Sequence, residues 1–152
     1  MVDILDIAKF FLAKEAMTPK KLQKILYYAY SWFLTLENDP EVGLENRLFE
    51  NNFQAWVHGP VDPEIYAEYK GYGYSLIPRK NSENLDLSEQ ILKRLDQVWD
   101  IYGEFDADEL ENLTHQESPW INARGDSKPL DICRTPISDA DIYDCYAERL
   151  MQ

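Results

Sequence analysis

Apolar residues recur at helical spacing through most of the chain. Ile4, Ile7, Ala8, Phe11 and Leu12 fall on one face and predict a short amphipathic helix over residues 3–14. The strongest helical signal runs from Met17 to Leu36. Thr18 is a good N-cap, and Pro19 occupies the first helical position, where its missing N–H costs nothing. Leu22, Ile25, Leu26, Ala29, Trp32, Phe33 and Leu36 form one broad apolar face. Gln23, Tyr27, Tyr30 and Leu34 lie on the other side, beside Lys20, Lys24 and Ser31. A helix that is apolar or aromatic nearly all round either forms the centre of the fold or shows a tyrosine-rich face to a partner. The central role is the commoner one.

Phe53 to Val57 is rich in strand formers and predicts a short strand. The Gly59-Pro60 pair then breaks regular structure. Asp62 caps a helix with Pro63 at its first position, running to about Lys70, and Gly71 and Gly73 end it. Tyr74 to Pro78 reads as a second extended piece. Asp86 and Glu89 have capping-box spacing, with Ser88 a rival cap, ahead of a helix over Glu89–Tyr102. Asp106 and Glu109 repeat that spacing before a helix through about Thr114. Ser118 and Pro119 open a short helical turn that Gly125 closes. Residues 126–136 are a loop with two prolines. Ser138 caps a last helix whose predicted buried face is Ile142, Cys145, Tyr146 and Leu150. The sum is a mainly α, compact single-domain bundle of about six helices, with a small β element near residues 53–57 and 74–78.

Composition fits one domain. A chain of 152 residues buries roughly 70% of its unfolded surface and needs no metal or disulfide staple. Ten Tyr and four Trp are many for this length. They predict a half-polar core first, and a sticky partner surface second. Net charge is −13, from 15 basic and 28 acidic residues. Such a surface repels phosphate backbones, so no nucleic-acid partner is expected. Lys20, Lys21 and Lys24 are the best local basic group, and three such lysines usually form a solvated face. Cys133 and Cys145 match no zinc or redox spacing and read as reduced thiols. No signal peptide and no apolar run near the ~20 residues of a membrane span is evident, so a cytoplasmic location away from membranes is expected.

Motifs for catalysis are sparse. His115 and Glu117 form an H-x-E triplet of the kind used by zinc deaminases, which also need a P-C-x-x-C element that this chain lacks. A metal-dependent hydrolase centred on these two residues is therefore a remote alternative. Nothing in the sequence brings either cysteine to His58 or His115 for nucleophilic chemistry. No P-loop, GxGxxG, GxSxG or HExxH is present. At the end of its predicted helix, His115 has a structural use, bonding terminal carbonyls or answering the helix dipole. His58, beside the Gly-Pro turn, reads the same way. No catalytic residue, metal or cofactor is assigned, and the protein is expected not to be an enzyme.

Three segments carry a family likeness: KLQKILYYAYSWFL (21–34), FQAWVHGPVDPEIYAEYKGYG (53–73) and LENLTHQESPWINAR (110–124). In order and spacing they resemble the Panacea-domain family, the SocA-like antitoxins related to phage-associated GepA proteins. The closing helix ISDADIYDCYAERL (137–150) is similar too, so the likeness covers nearly all of one domain, residues 1–152. The resemblance implies a compact, mainly helical antitoxin. It would neutralise a cognate toxin encoded beside it by direct binding, in a toxin–antitoxin or prophage locus. Some members deliver the toxin to a protease instead, so an adaptor role, or a phage-encoded inhibitor of a host protein, is the alternative. Members with an extra terminal region for partner choice or DNA binding differ from this chain, which is expected to choose its partner on the single domain.

The matching residues are Leu22, Gln23, Lys24, Tyr27 and Tyr28 in the first motif. Trp56, Gly59, Pro60 and Val61, followed by Tyr66, match the second. Thr114, His115, Pro119, Trp120 and Arg124 match the third. Gly59 and Pro60 set a turn that few residues can make. Trp56 and Trp120 are expected in the core. Gln23, Lys24, His115 and Arg124 either knit the helices by hydrogen bonds or face a partner, the first being commoner. Tyr27, Tyr30, Tyr69, Tyr72 and Tyr74 are the candidate partner anchors, with partial core burial as the competing reading of each.

Overall fold

A computed structural model describes all residues, 1–152. It contains seven α-helices in chain order: α1 (Ile4–Lys14), α2 (Pro19–Leu36), α3 (Pro63–Tyr69), α4 (Glu89–Tyr102), α5 (Ala107–His115), α6 (Ser118–Arg124) and α7 (Asp139–Leu150). A 3₁₀ turn, Lys70–Tyr72, extends α3. The mainly α expectation holds, with one helix more than six because the turn expected at Ser118 forms the full helix α6.

Local signals place most of the boundaries. Thr18 caps α2 by accepting from the Lys21 N–H, and Pro19 follows it. Asp106 and Glu109 form a reciprocal capping box on α5. Ser138 caps α7 and accepts from the Asp141 N–H. At α4 the rivalry between Asp86 and Ser88 resolves to Ser88, whose Oγ accepts from the Ile91 N–H.

The β element departs from expectation. Strand β1 is Gln54–Trp56, and its antiparallel partner β2 is Gly59–Val61, directly after the turn. Residues 74–78 form no strand. Only Ile77 makes a bridge, to Met17. On the other edge of β1, the Ala55 N–H donates to Thr135 O and the Ile137 N–H to Phe53 O. Gln54 bridges Pro136 there. A proline therefore lies on each side of β1. Neither Pro60 nor Pro136 has an N–H to offer, which discourages further strand addition at those positions.

Helix α2 is the axis of the molecule. Fourteen of its 18 residues are buried, and α1, α3, α4, α5, α7 and β2 all pack on it. Its tyrosines make the core half-polar. Tyr27, Tyr28 and Tyr30 are fully buried with Tyr146 of α7. Tyr28 stacks on Tyr102 with ring centroids 4.0 Å apart. The Trp32 indole donates to the Tyr102 hydroxyl at 2.8 Å, and Tyr30 donates to Asp139 Oδ1 at 2.7 Å.

A buried carboxylate ties these helices together. Glu117, at the start of α6, accepts from the hydroxyls of Tyr28 (2.7 Å) and Tyr146 (2.9 Å) and from the Arg149 guanidinium. Burial, followed by the neighbouring Glu117 charge, pushes the Tyr28 phenol well above its ordinary range. The final helix is less buried than its periodicity suggests. Ile142 and Tyr146 are buried, Cys145 is half-buried, and Leu150 is exposed. Both cysteines are free thiols. No helix is long and apolar enough to cross a membrane.

Candidate functional site: a clamped hairpin

The three family-like segments converge on the backbone of the β1–β2 hairpin. From α2, the Gln23 amide makes a two-point contact with Asp62. Its Nε2 donates to Asp62 O at 3.0 Å, and its Oε1 accepts from the Asp62 N–H at 2.9 Å. One turn along, Lys24 Nζ donates to Pro60 O at 3.1 Å. From α6, Trp120 Nε1 donates to Trp56 O at 2.8 Å. Arg124 donates to Ala55 O at 3.1 Å through one nitrogen, and to Lys128 O and Asp131 O, at 2.8 and 3.0 Å, through another. Four hairpin carbonyls thus receive side-chain donors from two helices on opposite sides of the chain sequence. Each bond ties backbone of the hairpin segment to a helix.

Gly59 is the residue that lets this clamp close. Its φ of +109° lies where L side chains are strained. A Cβ there would stand 2.7 Å from Lys24 Cε and 2.9 Å from Thr114 Oγ1. Thr114 itself donates to Glu111 O at 2.8 Å, so it too is structural. Asp62 is fully buried. It caps α3 by accepting from the Glu64 and Ile65 N–H groups at 2.8 and 3.1 Å.

The lysines do not form a solvated face. Lys21 Nζ donates to Glu15 Oε2 (2.9 Å) and Gly103 O (2.7 Å). Lys20 pairs with Asp108 at 2.9 Å and with Glu111. Lys24 is buried, and burial, with Lys20 adding repulsion and Glu111 partly opposing, lowers its amine to about 7. Each amine is engaged inside the molecule, so the one basic cluster in the sequence offers no free basic patch. His58 is exposed and holds Glu111 Oε1 at 3.1 Å.

His115 and Glu117 have separate partners. The His115 imidazole stacks on Trp120 with centroids 3.9 Å apart, and its buried Nε2 has no hydrogen-bond partner. Burial, ahead of the opposing pull of Glu111, lowers its pKa, which keeps the ring neutral. The lowered pKa disfavours the cation that would answer the α5 dipole. The Glu117 carboxylate is filled by two tyrosines and an arginine, and no group of three or more His, Cys, Asp or Glu side chains is placed to hold a metal.

The anchor tyrosines divide. Tyr27, Tyr30 and Tyr69 are buried and cannot meet a partner without unpacking the core. Tyr72 is partly exposed and Tyr74 almost wholly so, at 99%. Trp56 and Trp120 are half-buried rather than core. Trp56 packs edge-to-face on the exposed Tyr66, with centroids 5.0 Å apart. Pro119 is buried at the α6 start. Sequence reasoning missed the Gln23–Asp62 pair, because Asp62 already has a full local role as a cap. It also missed Glu117 as a hub, since its three partners lie on α2 and α7.

A family model described as antitoxin SocA-like, Panacea domain, matches residues 22–121. No curated protein and no solved structure gives a significant match. The family match opens at Leu22, beside Gln23 and Lys24, and closes at Ile121, beside Trp120. It therefore encloses the hairpin and every clamping residue except Arg124. With well over half its length matched, and with that segment building the core of the molecule, the chain belongs to the SocA-like antitoxin family with a Panacea domain.

Proposed function

We propose that this antitoxin neutralises a cognate toxin by direct protein–protein binding and catalyses no reaction. The toxin would be encoded beside it, in a toxin–antitoxin or prophage locus, and the protein would act in the cytoplasm. The observation that carries the reading is the engagement of the motif side chains. Gln23, Lys24, Trp120 and Arg124 all donate to hairpin backbone, so the motif builds a rigid frame instead of lining a reaction centre. A preorganised frame suits a binding protein, because little ordering entropy is lost on association. The internal pairing of Lys20, Lys21 and Lys24 supports a protein partner over nucleic acid.

The test is co-expression with the product of the neighbouring gene. That product alone should arrest growth, and this protein should restore growth while the two co-purify and the toxin's lifetime stays unchanged. Restored growth with a shortened toxin lifetime would replace neutralisation with delivery to a protease. Arrest that this protein cannot relieve would refute the antitoxin reading.

A further inference from the structure

Beside the clamped hairpin lies an open slot of about 240 Å³. Trp56, Val57 and Val61 of the hairpin segment line one side, and Ile132 and Cys133 of the 126–136 loop line the other. His58 and Arg134, both exposed, complete it. Its walls are strongly apolar, and Ile132 is 84% exposed although nothing in the fold requires an isoleucine in water there. A lone exposed Ile is unremarkable in itself. Three further observations make the slot a built feature.

First, both walls are fixed by the same side chain. Arg124 donates to Ala55 O in the hairpin and to Lys128 O and Asp131 O in the loop. The backbone bonds Ala55 N–H to Thr135 O and Ile137 N–H to Phe53 O close the base. The slot is therefore preformed. Second, no carboxylate lines it, in a chain carrying 28 of them. Third, Arg134 makes no salt bridge or hydrogen bond within the chain, while Lys20, Lys21, Arg94 and Arg149 all have acidic partners. An unpaired guanidinium next to an apolar slot is the combination that binding hot spots favour.

We infer that this slot is the toxin-docking site, and that it takes one large apolar side chain flanked by an Asp or Glu that pairs with Arg134. The inference rests on the toxin-binding reading above and specifies its surface. Charge complementarity chooses the occupant. The molecule as a whole is negative, while the slot carries the Arg134 guanidinium and no lining carboxylate. A partner segment that puts a carboxylate beside its apolar anchor is drawn to this place and repelled from the rest. The size of the slot admits one large aliphatic or aromatic side chain, not a helix.

The experiment measures binding of the purified neighbouring-gene product to the full-length protein and to four surface variants. Ile132→Asp and Arg134→Glu alter the slot. Ile101→Asp on α4 and Val42→Asp in the loop after α2 alter exposed positions outside it. All four side chains are exposed, so thermal melts should coincide with wild type. The slot variants should each weaken the Kd roughly tenfold or more, and the controls should stay within about twofold. If wild type binds while both slot variants bind equally well, the slot inference is overturned and the antitoxin reading stands. Loss in Ile132→Asp alone overturns the carboxylate–Arg134 pairing. Absence of wild-type binding overturns the antitoxin reading, and the slot assignment falls with it.

Discussion

Gly59 and Lys24 meet at the closest approach between the hairpin and α2, and each makes a prediction of its own. Gly59→Ala places a methyl group 2.7 Å from a buried lysine carbon, at a φ of +109°. Backbone strain alone costs about 1–3 kcal/mol in such cases, and the packed lysine has little room to move. Urea unfolding should show a loss of at least that size, with the hairpin released first. Lys24 predicts a pH dependence. Its amine is held near 7 in the fold against an ordinary 10.5. Between those values the unfolded chain holds a proton that the folded chain lacks, so stability rises with pH across that window and is flat below it. The slope is at most about 1.4 kcal/mol per pH unit. Lys20 on the same helix, Glu111 and His115 on α5, and His58 on the hairpin are the charged or titratable groups around it, and they set the size. Comparing unfolding free energies of wild type and Lys24→Met at pH 7 and pH 9 isolates the effect. Wild type should gain stability relative to the variant on going to pH 9.

Among the elements, the hairpin is the one that depends most on its surroundings. Two three-residue strands are not stable alone in water. Four side-chain donors hold this pair, and removing one leaves buried backbone groups unpaired, at about 1–3 kcal/mol per group. Gln23→Ala and Arg124→Ala should therefore raise amide exchange in residues 54–62 far more than in α4 or α7. Uniform acceleration across the chain would mean that the clamp is not local. This dependence also explains which elements were legible in sequence. Thr18-Pro19, the Asp106–Glu109 box and Ser138 announce helix starts through contacts within a few residues. The apolar and aromatic residues nearly all round α2 announce burial. Strand β2 carries no such signal, since Gly59-Pro60 reads locally as a break, yet in the fold it pairs with β1 and is held by Gln23 and Lys24, more than 35 positions earlier. The same gap misplaced the tyrosine anchors. A tyrosine on a helix has one pattern whether its hydroxyl meets water or, like Tyr28, a buried Glu117 from another element. For the site, the motif residues were readable as a group, while the slot was not. Ile132 and Arg134 sit in a loop with no periodicity, and only the fold brings them to Trp56.

For the molecule as a whole, charge and shape act together. The net charge of −13 gives a negative field that draws in a basic partner and speeds encounter. If the toxin is basic, as an enzyme acting on nucleic acid or nucleotides often must be at its active site, the association rate should fall steeply between low and physiological salt while the dissociation rate changes little. A salt-independent association rate would remove long-range steering from the account. The buried tyrosine and Glu117 network gives the frame its rigidity, and the family match places that frame among antitoxins.

The central claim is that neutralisation is binding by a rigid frame, with no turnover. Its most direct test is a titration of the active toxin with this protein, following residual toxin activity against the molar ratio and against time. The account predicts a linear fall that completes at a fixed stoichiometric ratio and does not deepen on longer incubation. Complete neutralisation at a small fraction of that ratio, advancing with time, would contradict it and would mean that the protein acts as a catalyst on its toxin.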